Sequence, residues 1–185
     1  MEGLRRFSEG GASALKVEAI AKSIGCSKSS FYWHFQNRSA FLSRMLSHWA
    51  KLGTADVIAR LAEEQSVGER FHALLHEAFG ARQGGDFLHH LRRLARSDAQ
   101  AAALLETTER TRIHYIASLI EEAGMSAAEA AIRGELIYTH YLGWYERHHH
   151  EPVDTAALAA LFDDLIDCLS LPCLLYTSPS PRDDR

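Results

Sequence analysis

Apolar residues recur at intervals of three and four through almost the whole chain, and this helical spacing is the strongest constraint on its fold. Strands would need sustained alternation of apolar and polar residues, which no stretch of the sequence shows. Helix breakers are sparse, with 12 glycines and 4 prolines among 185 residues. We therefore predict an all-α protein of nine helices, near residues 1–9, 16–24, 27–34, 38–63, 67–82, 86–96, 98–123, 127–148 and 154–170.

Short polar residues and glycines mark several predicted helix ends. Four side chains with a short oxygen acceptor stand just before a periodic segment and are predicted N-caps: Ser66, Asp98, Ser126 and Asp154. Gly10, Gly11 and Gly124 are expected to close helices in the left-handed conformation that glycine tolerates.

The two ends of the chain depart from the pattern. Residues 1–10 look like the second half of an amphipathic helix with Leu4 and Phe7 on its apolar face, so we expect a truncated first helix. Pro179 and Pro181 forbid a helix near the other end. We expect residues 172–185 to be a non-native read-through tail, with a natural disordered tail as the alternative.

Several classes of protein are disfavoured. Three cysteines without paired spacing give no disulfide framework, and no apolar run reaches the ~18 residues of a membrane span, so we expect a cytoplasmic protein away from membranes. Neither a nucleophile–base pair nor a phosphate loop is evident, which argues against an enzyme. His72 and His76 have a chelating spacing, but no acidic or sulfur ligand completes a site, so we expect no metal and no cofactor.

The net charge of −4 conceals an uneven distribution. Residues 1–50 hold seven Lys or Arg against three Glu, which makes this part +4 and leaves −8 for the rest. A basic head on an acidic body suits a molecule that meets phosphates with one end only.

Residues 14–35 have the pattern of two short helices joined by a tight turn. Val17, Ile20, Ala21 and Ile24 form one apolar face, and Gly25 ends that helix. Ser27 is placed to cap a second helix, anchored by Phe31 and Phe35. Such a pair is the helix-turn-helix, whose second helix fits a DNA major groove ~12 Å wide.

The run SIGCSKSSFYWHFQNRSAFL, residues 23–42, resembles the recognition helix and following helix start of TetR-family regulators. The resemblance extends over residues 14–46 and implies a three-helix helix-turn-helix DNA-binding domain over residues 1–46. It further implies a larger helical effector-binding and dimerisation body over residues 47–171.

The resemblance also implies roles for individual residues in binding double-stranded operator DNA. The candidate DNA-binding residues are Lys16, Val17, Lys28, Ser29, Ser30, Tyr32, Trp33, His34 and Arg38. Lys28, Ser29 and Ser30 would meet base edges, with Lys28 on guanine. Tyr32, His34, Arg38 and Lys16 would bind phosphates, and Trp33 would pack on sugar or a thymine methyl. Glu18 departs from the pattern: it either accepts from a cytosine amino group or points to solvent.

In such a family the last two helices pair with their copies as a homodimer. Small residues would permit close approach there: Ala127, Ala128, Ala130, Ala131 and Gly134. The alternative is that these helices pack only within one subunit.

The middle helices would enclose a small apolar or aromatic inducer. The candidate ligand-binding residues are Phe79, Phe87, Leu91, Leu105, Ile113, Tyr115, Tyr138, Tyr141 and Trp144, and for each of them plain core is the favoured alternative, because pocket and core share a composition. The expected function is thus a repressor released from a palindromic operator by an inducer. Two alternatives stay open: a DNA-binding regulator without a ligand, and a helical module that docks an acidic protein.

Overall fold

The computed structural model describes residues 1–64, 66–80, 86–148 and 155–172, and every regular element among them is a helix. The helices are α1 (Glu2–Gly10), α2 (Val17–Ser23), α3 (Lys28–His34), α4 (Arg38–Ala50), α5 (Asp56–Leu61), α6 (Val67–Gly80), α7 (Phe87–Ala95), α8 (Ala99–Glu122), α9 (Ala127–His148) and α10 (Thr155–Cys168). A 3-10 turn, Gly11–Ala14, follows α1, and a π-helical turn, Lys51–Ala55, joins α4 to α5.

The predictions of an all-α fold and of nine helices are therefore confirmed for the described residues, since α4, the π-helical turn and α5 form the one segment predicted over residues 38–63. The predicted tail beyond Pro172 and the predicted cap Asp154 lie outside the described residues. None of the described helices is both long and apolar enough to cross a bilayer.

Helix starts follow the capping chemistry read from the sequence. Ser66 Oγ accepts a hydrogen bond from the amide of Glu69 at 3.1 Å, while Glu69 Oε2 accepts from the amide of Ser66 at 2.9 Å, which makes a capping box. Asp98 and Ser126 accept from the amides three residues on, at 2.9 and 3.4 Å. The predicted caps at Ser66, Asp98 and Ser126 are thus confirmed. Asn37 caps α4 in the same way at 2.8 Å and was not predicted.

Two of the three predicted glycine stops adopt the left-handed backbone. Gly11 has φ +63° and Gly124 has φ +108°, where a side chain would be strained. Gly10 was wrongly included, because its φ of −152° is not left-handed.

The chain divides into two compact units. Unit 1 comprises Met1–Ala55 and Gln83–Glu109. Its core is formed by α1 to α4, α7 and the first part of α8, and includes the fully buried Phe7 and Leu91. The ring of Phe87 lies 4.6 Å from that of Phe7 and stacks on Trp49 at 4.8 Å. Apolar residues far apart in sequence therefore complete the core around the N-terminal helices.

Unit 2 comprises Asp56–Arg82 and Arg110–Arg185, and its core is aromatic at one end. The ring of Phe79 lies 4.9 Å from that of Trp144, 5.3 Å from that of Phe162 and 5.4 Å from that of Tyr141. These contacts fix α6, α9 and α10 against one another.

Of the small residues on α9 that were considered for close approach, Gly134 and Ala130 are buried inside unit 2. A Cβ on Gly134 would lie 3.1 Å from the carbonyl oxygen of Ile113, so glycine permits the close crossing of α9 with residues 110–122. For these two positions the packing is within the subunit. Ala127, Ala128 and Ala131 are exposed.

Candidate DNA-binding surface

Helices α2 and α3 form a helix-turn-helix whose inner face is held by apolar side chains. Val17, Ile20 and Ala21 of α2 are buried, and the ring of Phe31 of α3 lies 5.1 Å from that of Phe41 in α4. Ile24 was predicted on the same buried face but is 57% exposed. It is the C-cap of α2, where the chain leaves helical geometry, so helical spacing no longer directs its side chain inward.

Helix α3 presents its other side chains to solvent. Ser27 Oγ accepts from the amide of Ser30 at 3.0 Å and starts the helix. The exposed positions are Lys28, Ser29, Ser30, Tyr32, Trp33 and His34. Trp33 is 83% exposed, whereas Phe31 is only 3% exposed. The structure thus brings six of the nine candidate DNA-binding residues onto one exposed helix.

Lys28 and Glu18 form an ion pair across the two helices. Lys28 Nζ donates to Glu18 Oε1 over 2.5 Å, and both side chains are more than half exposed. The hydrogen bond lowers the pKa of the Glu18 carboxyl and raises the pKa of the Lys28 ammonium. Both groups are therefore charged near neutral pH. The carboxylate is directed at its lysine partner, a third arrangement beside the two that the sequence left open.

The remaining candidates flank this helix and differ in accessibility. Lys16 is exposed at the N-cap position of α2. Arg38 is exposed at the start of α4, and its Nη2 donates to the carbonyl oxygen of Ala12. A guanidinium has five donors, so this bond leaves others for a phosphate. Val17 is only 6% exposed, so its side chain belongs to the core of unit 1.

Arg6 is a link that the sequence did not reveal. Its Nη2 donates to the carbonyl oxygen of Ala19 at 3.3 Å, while its Nε donates to Glu2 at 2.7 Å. The contact ties α1 to α2. An arginine four residues from a glutamate is a helix-surface signal, but its tertiary acceptor leaves no trace in the sequence.

The nine candidate ligand-binding residues are divided between two cores. Those in or against the core of unit 1 are Phe87, Leu91 and Leu105. Those in or against the core of unit 2 are Phe79, Ile113, Tyr115, Tyr138, Tyr141 and Trp144. Phe87 and Leu91 are at most 7% exposed and pack in the core that supports the helix-turn-helix, which gives them a structural role. A small cleft of about 60 Å³ lies in unit 1 between α4 and the start of α8 and is lined by none of the nine.

The hydroxyl of Tyr115 and Nε2 of His140 in unit 2 are buried and have no hydrogen-bond partner among the described residues. Burial raises the pKa of Tyr115 and lowers that of His140, so both are neutral at pH 7. His76 packs edge-on against Phe162 at 5.4 Å. Within the described residues no three His, Cys, Asp or Glu side chains are grouped to hold a metal ion.

Helix α3 is capped by Ser27, held to the core by the buried Phe31 and otherwise exposed to solvent. This arrangement is typical of helix-turn-helix DNA-binding proteins. Residues 2–45 match the sequence profile of "Bacterial regulatory proteins, tetR family". No curated protein sequence matches the chain significantly.

Solved structures share the fold over nearly the whole chain. A putative TetR-family transcriptional regulator from Rhodococcus sp. is 17% identical with a TM-score of 0.68, over 91% of this chain and 94% of that one. The fatty acid degradation regulator FadR from Bacillus halodurans is 15% identical with a TM-score of 0.63, over 91% and 90%. FadR from Bacillus subtilis, in complex with stearoyl-CoA, is 15% identical with a TM-score of 0.63, over 91% and 94%. Residues 2–45 are therefore a helix-turn-helix domain of the TetR type, and the chain as a whole shares the fold of these solved structures.

Proposed function

We propose that this regulator is a repressor that binds a near-palindromic operator as a homodimer and leaves it when a small molecule binds. The observation that carries the proposal is the solvent-facing start of α3, where Lys28, Ser29 and Ser30 are all exposed. The N-terminal residues of a recognition helix reach base edges in the major groove, and lysine is a standard partner of guanine. The positive charge of residues 1–50 favours the approach of this part of the chain to phosphates.

An exposed apolar stripe on α9 supports the homodimer. Ile132 is 61% exposed and Leu136 is 49% exposed, four residues apart on one helical face. Ala128 and Gly143 are also exposed, and a Cβ added to Gly143 would have no neighbour within 4 Å. A contiguous apolar surface of this kind is expected to be covered, and a second copy of α9 offers the same stripe.

The last helix is expected to contribute mainly at the edge of that interface. On α10 the exposed positions include Asp163, Asp164 and Asp167, whose charge disfavours burial against an identical copy. The proposal of a dimer through the last two helices therefore places the apolar contact on α9.

The side chains inside unit 2 favour an inducer that is largely apolar and carries one polar group. The aromatic rings of Phe79, Tyr141 and Trp144 supply apolar surface. The unpartnered Tyr115 hydroxyl and His140 Nε2 would each gain from a ligand hydrogen bond, because a buried polar atom without a partner is costly. Stearoyl-CoA in the Bacillus subtilis FadR complex is an apolar chain with a polar head, which is consistent with this chemistry.

DNA binding and induction are tested together by electrophoretic mobility shift on the DNA flanking the regulator's own gene. We expect a dimer-sized complex whose affinity falls steeply with salt, with a slope of about −0.9 per neutralised phosphate. Salt-independent affinity would contradict the proposed contacts. A thermal-shift screen of acyl-CoA thioesters, fatty acids and aromatic compounds then seeks a ligand that both stabilises the protein and dissociates the complex. If no compound does both, a DNA-binding regulator without a ligand replaces the induced repressor.

A further inference from the structure

The ion pair between Glu18 and Lys28 lies on the surface that is expected to face DNA. Lys28 is the first residue of α3 and Glu18 is the second residue of α2, so the pair bridges the two helices of the motif. The side chain of Glu18 is 66% exposed and that of Lys28 is 56% exposed, so the contact is made in solvent. The ammonium group keeps two further N–H donors, but a phosphate that approaches them also approaches the Glu18 carboxylate.

The opposite charges of Glu18 and Lys28 cancel on the surface that is expected to face DNA. Positive charge on such a surface ordinarily supplies affinity for DNA of any sequence. Non-specific binding comes almost entirely from cations that neutralise phosphates. A lysine held by a carboxylate contributes little to that term, and the carboxylate itself is repelled by phosphates. Guanine offers Lys28 two acceptors, O6 and N7, at one position of the major groove. Guanine is uncharged, so it can bind Lys28 without repulsion from Glu18, whereas a phosphate contact to Lys28 must overcome repulsion between the phosphate and the Glu18 carboxylate.

We propose that Glu18 is a positioning residue that determines specificity through Lys28. It retains the ammonium group on random DNA and releases it where a guanine stands opposite the start of α3. Glu18 thereby lowers affinity for non-operator DNA more than affinity for the operator. The inference rests on the proposed operator-binding role of Lys28. It gives a function to Glu18, whose negative charge would otherwise only weaken DNA binding.

The test compares Glu18→Gln with wild type on two probes. One probe is a pool of random 30-base-pair duplexes, and the other is the set of sites that wild-type protein enriches from that pool. Fluorescence anisotropy over a series of salt concentrations gives affinity and salt slope for each. Glu9→Gln is the matched control, because Glu9 is an exposed acid on α1 that pairs with Arg5 of the same helix at 2.6 Å.

We expect Glu18→Gln to tighten binding to the random pool by about 2- to 5-fold, the range set by one exposed ion pair. The salt slope on that pool should steepen by about 0.9, because Lys28 becomes available to a phosphate. Operator affinity should change less, so the ratio of the two affinities falls. Glu9→Gln should change neither the ratio nor the slope to this extent. In a Lys28→Gln background, Glu18→Gln should have no more effect than the control.

An unchanged ratio in Glu18→Gln, or an effect that survives in the Lys28→Gln background, would overturn the inference while leaving operator binding intact. A wild-type protein that binds neither probe would overturn the operator-binding role and this inference together. Both residues are exposed, so the variants should keep the wild-type melting temperature.

Discussion

The guanidinium of Arg38 donates a hydrogen bond to the carbonyl oxygen of Ala12 and so joins the start of α4 to the 3-10 turn that leads into α2. A residue predicted to bind phosphate is thus also part of the scaffold behind the recognition helix. The bond to Ala12 holds the Arg38 side chain in one orientation before DNA binds. A phosphate contact by the remaining guanidinium donors therefore costs less conformational entropy.

Arg38→Ala should weaken binding to operator and random duplexes by about the same factor, because a phosphate contact carries no sequence information. The salt slope should become shallower by about 0.9. The melting temperature should also fall slightly, because the bond to Ala12 is lost. Arg93→Ala, which removes an exposed arginine of α7, is the control for charge alone. A loss confined to the operator would assign Arg38 to base reading.

Lys28→Ala should relax base preference at one position of the operator. If Lys28 binds guanine, affinity for the preferred base should drop by about 5- to 150-fold, with little change for the other three. The measurement is a set of operators carrying all four base pairs at each position. Tyr32→Phe should instead weaken all of them about equally, as expected for a phosphate contact. A uniform loss in Lys28→Ala would refute its assignment as a base reader.

Ile132→Asp should convert the protein to monomers. The substitution places a charge in the middle of the apolar stripe of α9, where two copies would have to bury it against each other. Sedimentation equilibrium should show the loss of the dimer, and operator affinity should fall because only one half-site is held. Ala103→Asp, at an exposed position of α8, is the control and should remain dimeric.

His140 should make unit 2 less stable in mild acid. Burial lowers its pKa below the ordinary 6.5, so as the pH falls below about 6.5 the unfolded chain takes up a proton that the folded protein does not. Stability is fully present above that pH and declines until the folded pKa is reached. His140→Leu should flatten the fall in melting temperature between pH 7 and pH 5. An identical pH profile for the two proteins would show that His140 is not responsible.

Trp144→Ala should abolish induction while leaving operator binding intact. The ring of Trp144 is part of the aromatic cluster of unit 2. A ligand releases DNA if its affinity for the DNA-free form exceeds its affinity for the DNA-bound form by about 5- to 150-fold. Titration with an inducer found by the thermal-shift screen should quench Trp144 fluorescence in the wild type. By reciprocity, operator DNA should weaken that ligand by the same factor.

Local features could be read from the sequence because their causes are local. The capping residues Ser66, Asp98 and Ser126 act on amides three residues away, so a short window contains the whole interaction. The recognition helix was predicted for the same reason, since its cap and apolar anchor lie within ten residues.

Contacts between segments could not be read in this way. The partner of Lys28 is ten residues distant and that of Arg38 is 26 residues distant, and nothing in their spacing selects those partners. The candidate ligand-binding residues were chosen for being apolar, and core and pocket share that composition. Phe87 and Phe79 look alike in the sequence, yet they belong to the cores of different units.

The burial of Phe7 against Phe87 has a consequence for synthesis. The first half of unit 1 leaves the ribosome before the residues that complete its core, which lie in Gln83–Glu109 and follow a segment of unit 2. Until then Phe7 and Leu15 lack part of their apolar surroundings. Residues 1–55 are therefore expected to remain incompletely folded during synthesis and to need protection from aggregation. A chimera that joins residues 1–55 to another C-terminal domain would permanently lack the part of the core that residues 86–109 supply. A chimera that also carries residues 86–109 would have the complete core.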